Sequence, residues 1–242
     1  MAHFYLLESL ESTSVGSTIV LEGPEGRHAA TVSRVRVGET LALGNGRGLM
    51  ISAEVISTSK DVVELRVESV EQKQEDSPLI SLVQALAKTD RDERAIEAAT
   101  ELGINAVIPW AADRSISQWV GPKVEKGIFR WSAIVREASK QSIRAFVPRV
   151  GPLLKTSQLP AELSGDHIVV LDPTGNIPLS QLELDERNIA LIVGPEGGIT
   201  DAELSRLAEA GATIVTLGTN ILRTSTAGPA ALAILNAKLG RC

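Results

Sequence analysis

Five consecutive residues toward the carboxyl end, Gly194-Pro195-Glu196-Gly197-Gly198, set one carboxylate among three glycines and a proline. Glycine lets a backbone turn through positive φ, or lets a ligand lie against bare amides with no Cβ between. A carboxylate held there can meet a cation or take part in proton transfer. Farther on, Leu222-Arg223-Thr224-Ser225-Thr226 puts one cation and three hydroxyls directly before an Ala- and Leu-rich helical run. Helix capping accounts for hydroxyls in that place, with Thr226 the expected N-cap and Pro229 in the first turn, where its missing donor costs little. Capping accounts less well for Arg223. A third stretch, VVLDPTG (Val169 to Gly175), runs an apolar segment into a Pro-Gly turn. GPEGG alone fits either a plain turn or a ligand loop. It is neither a GxxxxGK[ST] phosphate loop nor a GxGxxG dinucleotide fingerprint.

These stretches need elements to hold them. IALIVG (Ile189 to Gly194) reads as a buried strand, and Thr200-Asp201-Ala202-Glu203 as a capping box, so GPEGG joins a strand to a helix beginning near Asp201. HIVVLD (His167 to Asp172) and TIVTLG (Thr213 to Gly218) are equally apolar, the mark of parallel strands covered on both faces. LISLVQAL (Leu79 to Leu86) and AVIPW add strands; Asp92 to Gly103 is a helix closed by glycine, and a long helix is expected from Lys123 to Arg144. In such sheets ligands gather at the carboxyl ends of the strands. Upstream, Thr18 to Val70 offers short β-branched runs separated by turns such as GNGRG, a small antiparallel barrel or sandwich. Polar Glu71 to Pro78 is the linker, so the expected domains are residues 1–74 and 75–242. The fold class is α/β behind an all-β module.

Composition narrows the chemistry. The 242 residues are 43% hydrophobic and 22% charged, as in an ordinary globular protein. One cysteine, Cys242, excludes an internal disulfide, and the scattered His3, His28 and His167 form no ligand-spaced pair, so no metal is expected. The amino-terminal residues lack a basic leader pattern and no apolar run reaches membrane-spanning length, which points to a cytoplasmic location. A net charge of -6 argues against a general nucleic-acid binder, so RNA contact must come from local patches.

GPEGGITDAEL followed by LGTNILRTSTA resembles the signature of the RsmE family, uracil-N3 methyltransferases of 16S rRNA in the small ribosomal subunit, within the SPOUT superfamily. RHAATVSRVRVGE (Arg27 to Glu39) resembles that family's PUA-like barrel, and ATELGINAVIPW, DRS and REASKQSIRAFVP resemble its middle blocks. The resemblance implies a SPOUT-type α/β domain with a trefoil knot behind a small PUA-like β-barrel, S-adenosyl-L-methionine as methyl donor, and a homodimer acting on the small subunit. It implies donor contacts at Leu171, Gly194, Glu196, Gly197, Leu217, Gly218, Leu222 and Thr226, with Arg223 and Glu196 as catalytic candidates. Many relatives read LRTETA here, so Ser225 stands in place of a carboxylate. Methylation at another RNA position and a non-catalytic role in ribosome assembly remain as alternatives.

The RNA-binding candidates are local. Between Ala111 and Arg149 eight Lys or Arg stand against three acids. Arg136, Lys140 and Arg144 recur every four residues, one stripe if all lie on a helix, and Arg114 precedes them. A solvated helix face explains such a stripe as well. In the first module Arg34 and Arg36 would share a strand face beside Arg27. Trp110, Trp119 and Trp131 invite base stacking, although the spacing of Trp131 with Ile134, Val135 and Ala138 suits core packing better.

Overall fold

A computed structural model describes residues 4–241; His3 and Cys242 lie outside them. The chain divides into two compact units, one running to Glu75 and taking in Ser139–Val147, the other Asp76–Ala138 with Pro148 onward.

The first unit contains β1 (Phe4–Leu6), β2 (Thr18–Leu21), α1 (Gly23–Arg27), β3 (Thr40–Gly44), β4 (Leu49–Thr58) and β5 (Val63–Gln72). Its five strands pair in the order β1-β3-β4-β5-β2, antiparallel except for β1 with β3. Alternating residues of β4 and β5, among them Ile51, Val55, Leu65 and Val67, turn one face into a cluster around Tyr5, Leu21 and Leu43. Residues 28–36 depart from expectation. His28–Ser33 form a π-helix, and Arg34 follows in the left-handed region at φ 54°. Arg34 and Arg36 therefore share no strand face; both are exposed on irregular backbone around Val35, which the core takes in.

The second unit contains β6 (Ile80–Ala85), α2 (Arg91–Glu101), β7 (Ala106–Ala111), α3 (Pro122–Gln141, whose last turn belongs to the first unit), β8 (Arg149–Val150), β9 (Leu154–Lys155), α4 (Leu159–Glu162), β10 (His167–Leu171), β11 (Ile177–Pro178), β12 (Ile189–Val193), α5 (Asp201–Glu209), β13 (Thr213–Thr216) and α6 (Thr224–Lys238). Every pairing in its sheet is parallel, in the order β11-β13-β10-β12-β6-β7-β8, with β9 also on β7. The apolar runs have the predicted cause. Val83, Val170, Ala190 and Ile192 pack in one cluster with Leu159 and Leu207, while Leu82 and Val193, of opposite parity, meet Gly228 of α6. No helix among the described residues is long and apolar enough to cross a membrane.

Two helix boundaries correct the sequence reading. The long helix ends at Gln141, because Ile143 turns left-handed at φ 55° and the Arg144 amide bonds back to the Ser139 carbonyl. Arg144 is thus off the helix and the three-cation stripe does not form. The last helix begins at Thr224, with Arg223 in extended conformation at its N-cap and no side-chain cap. Thr226 lies inside the first turn and Pro229 in the second. The start is set instead by the buried Thr224 hydroxyl, which is engaged with other strands.

The capping box at Thr200 is present and does more than cap. The Glu203 carboxylate accepts from the Thr200 amide and hydroxyl, each at 2.9 Å, from the Asp113 amide at 2.9 Å and from the Thr156 hydroxyl at 2.7 Å. Burial pushes its pKa up, but these donors outweigh burial and the net shift is downward from 4.5. A depressed carboxylate pKa means stabilisation that is complete above 4.5 and lost as pH falls through the folded-state value. Thr200→Ala should therefore lower stability by about 1 kcal/mol in urea unfolding. Glu203→Gln should cost more, because its amide NH2 would face donors, and it should flatten the fall in stability on acidification below pH 4.5.

Candidate active site

Strands β13, β10 and β12 lie side by side and parallel, so the loops that follow them emerge together at one edge of the sheet. The loop after β10 is closed by Asp172, whose carboxylate accepts from the Thr174 amide at 2.9 Å and hydroxyl at 2.7 Å. A Cβ on Gly175 would stand 2.8 Å from the Ile214 carbonyl oxygen, so only glycine lets this loop lie on β13. The loop after β13 turns at Gly218, φ 119°, and leaves Ile221 82% exposed.

The loop after β12 is GPEGG. Its glycines answer first to the protein itself. A Cβ at Gly194 would meet Ile199 at 2.6 Å, one at Gly197 would meet the Arg114 Cβ at 3.0 Å, and Gly198 has φ 74°. Arg114 donates to the Gly197 carbonyl at 3.1 Å from the far side of the loop. The Gly194 carbonyl accepts from the Thr224 hydroxyl at 2.9 Å, and that hydroxyl accepts from the buried Gln84 Nε2 at 2.8 Å. One side chain at the head of α6 thereby ties the GPEGG loop to β6.

Between the three loops lie two cavities of about 250 and 450 Å³ that share Leu171, Asp172, Pro173, Ile221, Leu222 and Ala227. Together they form one cleft of the size small-molecule sites require. Leu217 and Gly218 line the smaller part. Gly194, Glu196, Gly197 and Arg223 line the larger, so every expected donor contact except Thr226 reaches the cleft. Thr226 is exposed and lines neither part, because the helix begins before it.

Glu196 is not a solvated turn residue. Only 16% of its side chain is exposed; Oε1 accepts from Arg91 Nη1 at 3.1 Å and from the Lys88 amide at 3.3 Å. Its Oε2 is buried and has no hydrogen-bond partner among the described residues. Arg91, at the start of α2, also lines the cleft and escaped the sequence reading. It sits in the charged run TDRDER, which reads as an ordinary solvated helix start. Gln84 and Thr224 were missed as well, although a glutamine inside the apolar run LISLVQAL was a usable signal.

The RNA candidates are scattered. Arg27 is exposed and pairs with Asp61 at 3.3 Å. Arg136 pairs with Glu137 at 2.9 Å, and Lys140 with Glu25 at 2.9 Å with both side chains largely buried. Arg144 is half-buried, and desolvation lowers its guanidinium to about 10 against the opposing pull of Glu75. Trp110 and Trp131 are fully buried core residues, and Trp119 is half-exposed.

Residues 74–236 match the RNA methyltransferase domain family and residues 21–68 the RNA methyltransferase PUA domain family. The chain is 39% identical to ribosomal RNA small subunit methyltransferase E of Mycobacterium bovis, covering 96% of this chain and 90% of that one. It is 30% identical to the Bacillus subtilis protein of the same name, covering 98% and 96%. Among solved structures, ribosomal RNA small subunit methyltransferase E of Neisseria gonorrhoeae bound to S-adenosyl methionine superimposes with a TM-score of 0.89 at 31% identity, over 98% of each chain. The Legionella pneumophila putative methyltransferase Lpg2936, in complex with its cofactor SAM, gives 0.87 at 28% identity, again over 98% of each. The chain belongs to the RNA methyltransferase family whose members include the ribosomal RNA small subunit methyltransferase E proteins.

Proposed function

We propose that the chain transfers the methyl group of S-adenosyl-L-methionine to N3 of one uridine in 16S rRNA of the small ribosomal subunit, acting as a homodimer in the cytoplasm. The observation that carries this reading is the cleft where three strand-end loops meet, lined by bare backbone at Gly194 and Gly197 and by the charged pair Arg91 and Glu196. The residues fit the donor. Leu171, Leu217 and Leu222 supply apolar walls, Gly194, Gly197 and Gly218 supply peptide groups without side chains, and the unpartnered Glu196 Oε2 supplies negative charge suited to a sulfonium. When bound, the donor supplies an electrophilic methyl carbon bonded to positive sulfur.

The chain's own work is then positioning and charge. Uracil N3 would first lose its weakly acidic proton to water, and its lone pair would then take the methyl carbon that the donor supplies, the C–S electron pair remaining on the donor's sulfur. Arg223 is exposed at the cleft mouth and makes no ion pair with a described carboxylate, so its guanidinium is free to stabilise the uracil anion. Two carboxylates line the same cavity, Asp172, whose Oδ1 is taken up by Thr174, and Glu196, held in place by Arg91. No metal and no covalent enzyme adduct are required.

The loops are proposed to thread as a trefoil knot, a reading that rests on the resemblance of GPEGGITDAEL and LGTNILRTSTA to the SPOUT superfamily. We assign residues 1–74 to a PUA-like RNA-binding domain and 75–242 to the methyltransferase domain. Exposed Arg34 and Arg36 are the preferred phosphate contacts, ahead of Arg27, Arg114, Arg136, Lys140 and Arg144, which have partners within the protein.

Small subunits from a strain lacking the modification, incubated with the protein and labelled donor, should yield 3-methyluridine on nucleoside analysis. A different methylated nucleoside would move the reaction to another atom. Gly197→Val should weaken donor binding by calorimetry more than about tenfold, since a side chain there must push the loop off Arg114. Unchanged affinity would sink that role for the loop. Arg223→Ala should lower kcat by about 10²-fold, the scale of losing one transition-state donor, with donor affinity within about twofold.

A further inference from the structure

A third cavity of the second unit, about 590 Å³, lies outside the donor cleft and is walled by the loop after β7, the segment after β9 and the first turns of α5. Its floor is rigid. Trp110 Nε1 donates to the Thr156 hydroxyl at 3.1 Å, Thr156 donates to Glu203, and Glu203 holds the Asp113 amide. The Glu203 charge is consumed by those donors, so the charges left to a ligand are Lys155, Arg206 and Asp113. Neither cation ion-pairs with a described carboxylate, and both are exposed.

Two further observations point to a ligand. Ser115 is 8% exposed, lines this cavity, and its hydroxyl has no hydrogen-bond partner among the described residues. Trp119 is a half-exposed aromatic wall locked from behind. Its ring sits so close to Gly127 that a Cβ there would fall 2.5 Å from ring atoms, and it meets Trp131 edge-on at 5.4 Å between ring centres, 78° between planes. A fixed ring, an unsatisfied hydroxyl and two unpaired cations in one pocket match a base, its polar edge and its phosphate. The pocket also adjoins the donor cleft, because Arg114, between Asp113 and Ser115, bonds the GPEGG loop.

We infer that this cavity binds one ribonucleotide of the RNA substrate near the target uridine, its base stacked on Trp119 and its phosphate held by Lys155 and Arg206. The inference rests on the RNA methyltransferase reading above, and the test separates the two. The full chain is assayed with unmodified small subunits as substrate, comparing wild type with Trp119→Leu and with the surface double variant Lys155→Ala/Arg206→Ala. Donor affinity is measured in parallel by calorimetry. Both variants should raise KM for small subunits about tenfold or more, with kcat and donor affinity within about twofold. The double variant should also show a shallower dependence of KM on salt, which a loosened fold would not produce. Unchanged KM in the double variant with an active wild type overturns the pocket and leaves the methyltransferase reading intact. A wild type that binds donor but methylates no RNA sinks that reading instead. Short oligouridylates, titrated while amide exchange is followed, then decide the pocket independently, with protection expected across residues 112–120 and its absence counting against us.

Discussion

The second unit turns on a single buried hydroxyl. Thr224 accepts a hydrogen bond from Gln84 on β6 and donates one to the Gly194 carbonyl at the end of β12. An isolated polar group in that position would be destabilising, and a satisfied one is worth most where water is absent. The bond pair fixes where the last helix begins, and so where the preceding loop must end. That loop carries Leu217, Gly218, Leu222 and Arg223 into the cleft. Moving the helix start by one residue would rotate every following side chain by a large fraction of a turn, so the shape of the cleft follows from where one threonine is held.

Electrostatics are arranged around the same edge of the sheet. The carboxylates of Glu196 and Glu203 are only seven residues apart in sequence, yet they are treated oppositely. Glu203 is surrounded by donors and is structural. Glu196 is satisfied on one oxygen and bare on the other. A half-satisfied buried carboxylate is costly in a purely structural role, which is why its placement beside a cavity carries functional weight.

Much of this was legible from residue order. The apolar runs, the capping box at Thr200 and the strand-to-helix turn at GPEGG were readable because each depends on local rules of period, cap and bend. What failed depended on tertiary partners. Thr226 looked like a cap because hydroxyls before a helix normally are caps, but Thr224 was claimed by Gln84 and Gly194. The cation stripe required a helix through Arg144, and the chain turned left-handed at Ile143. Arg34 and Arg36 alternate as strand residues should, yet a π-helix precedes them. For Gly197 the expectation of a ligand contact stands as a proposal, and the tertiary fold adds a second constraint, the Arg114 Cβ 3.0 Å from where a side chain would begin.

That contact between Arg114 and Gly197 makes the segment 112–120 a party wall. One side of it braces the GPEGG loop, and the other lines the cavity of Ser115 and Trp119. Whatever binds on one side in preference to one arrangement of the wall must alter affinity on the other by a factor that is the same in both directions. A nucleotide held in the cavity of Ser115 and Trp119 would then change donor affinity through one arginine's reach across a glycine, in addition to the direct contact between target uridine and methyl group.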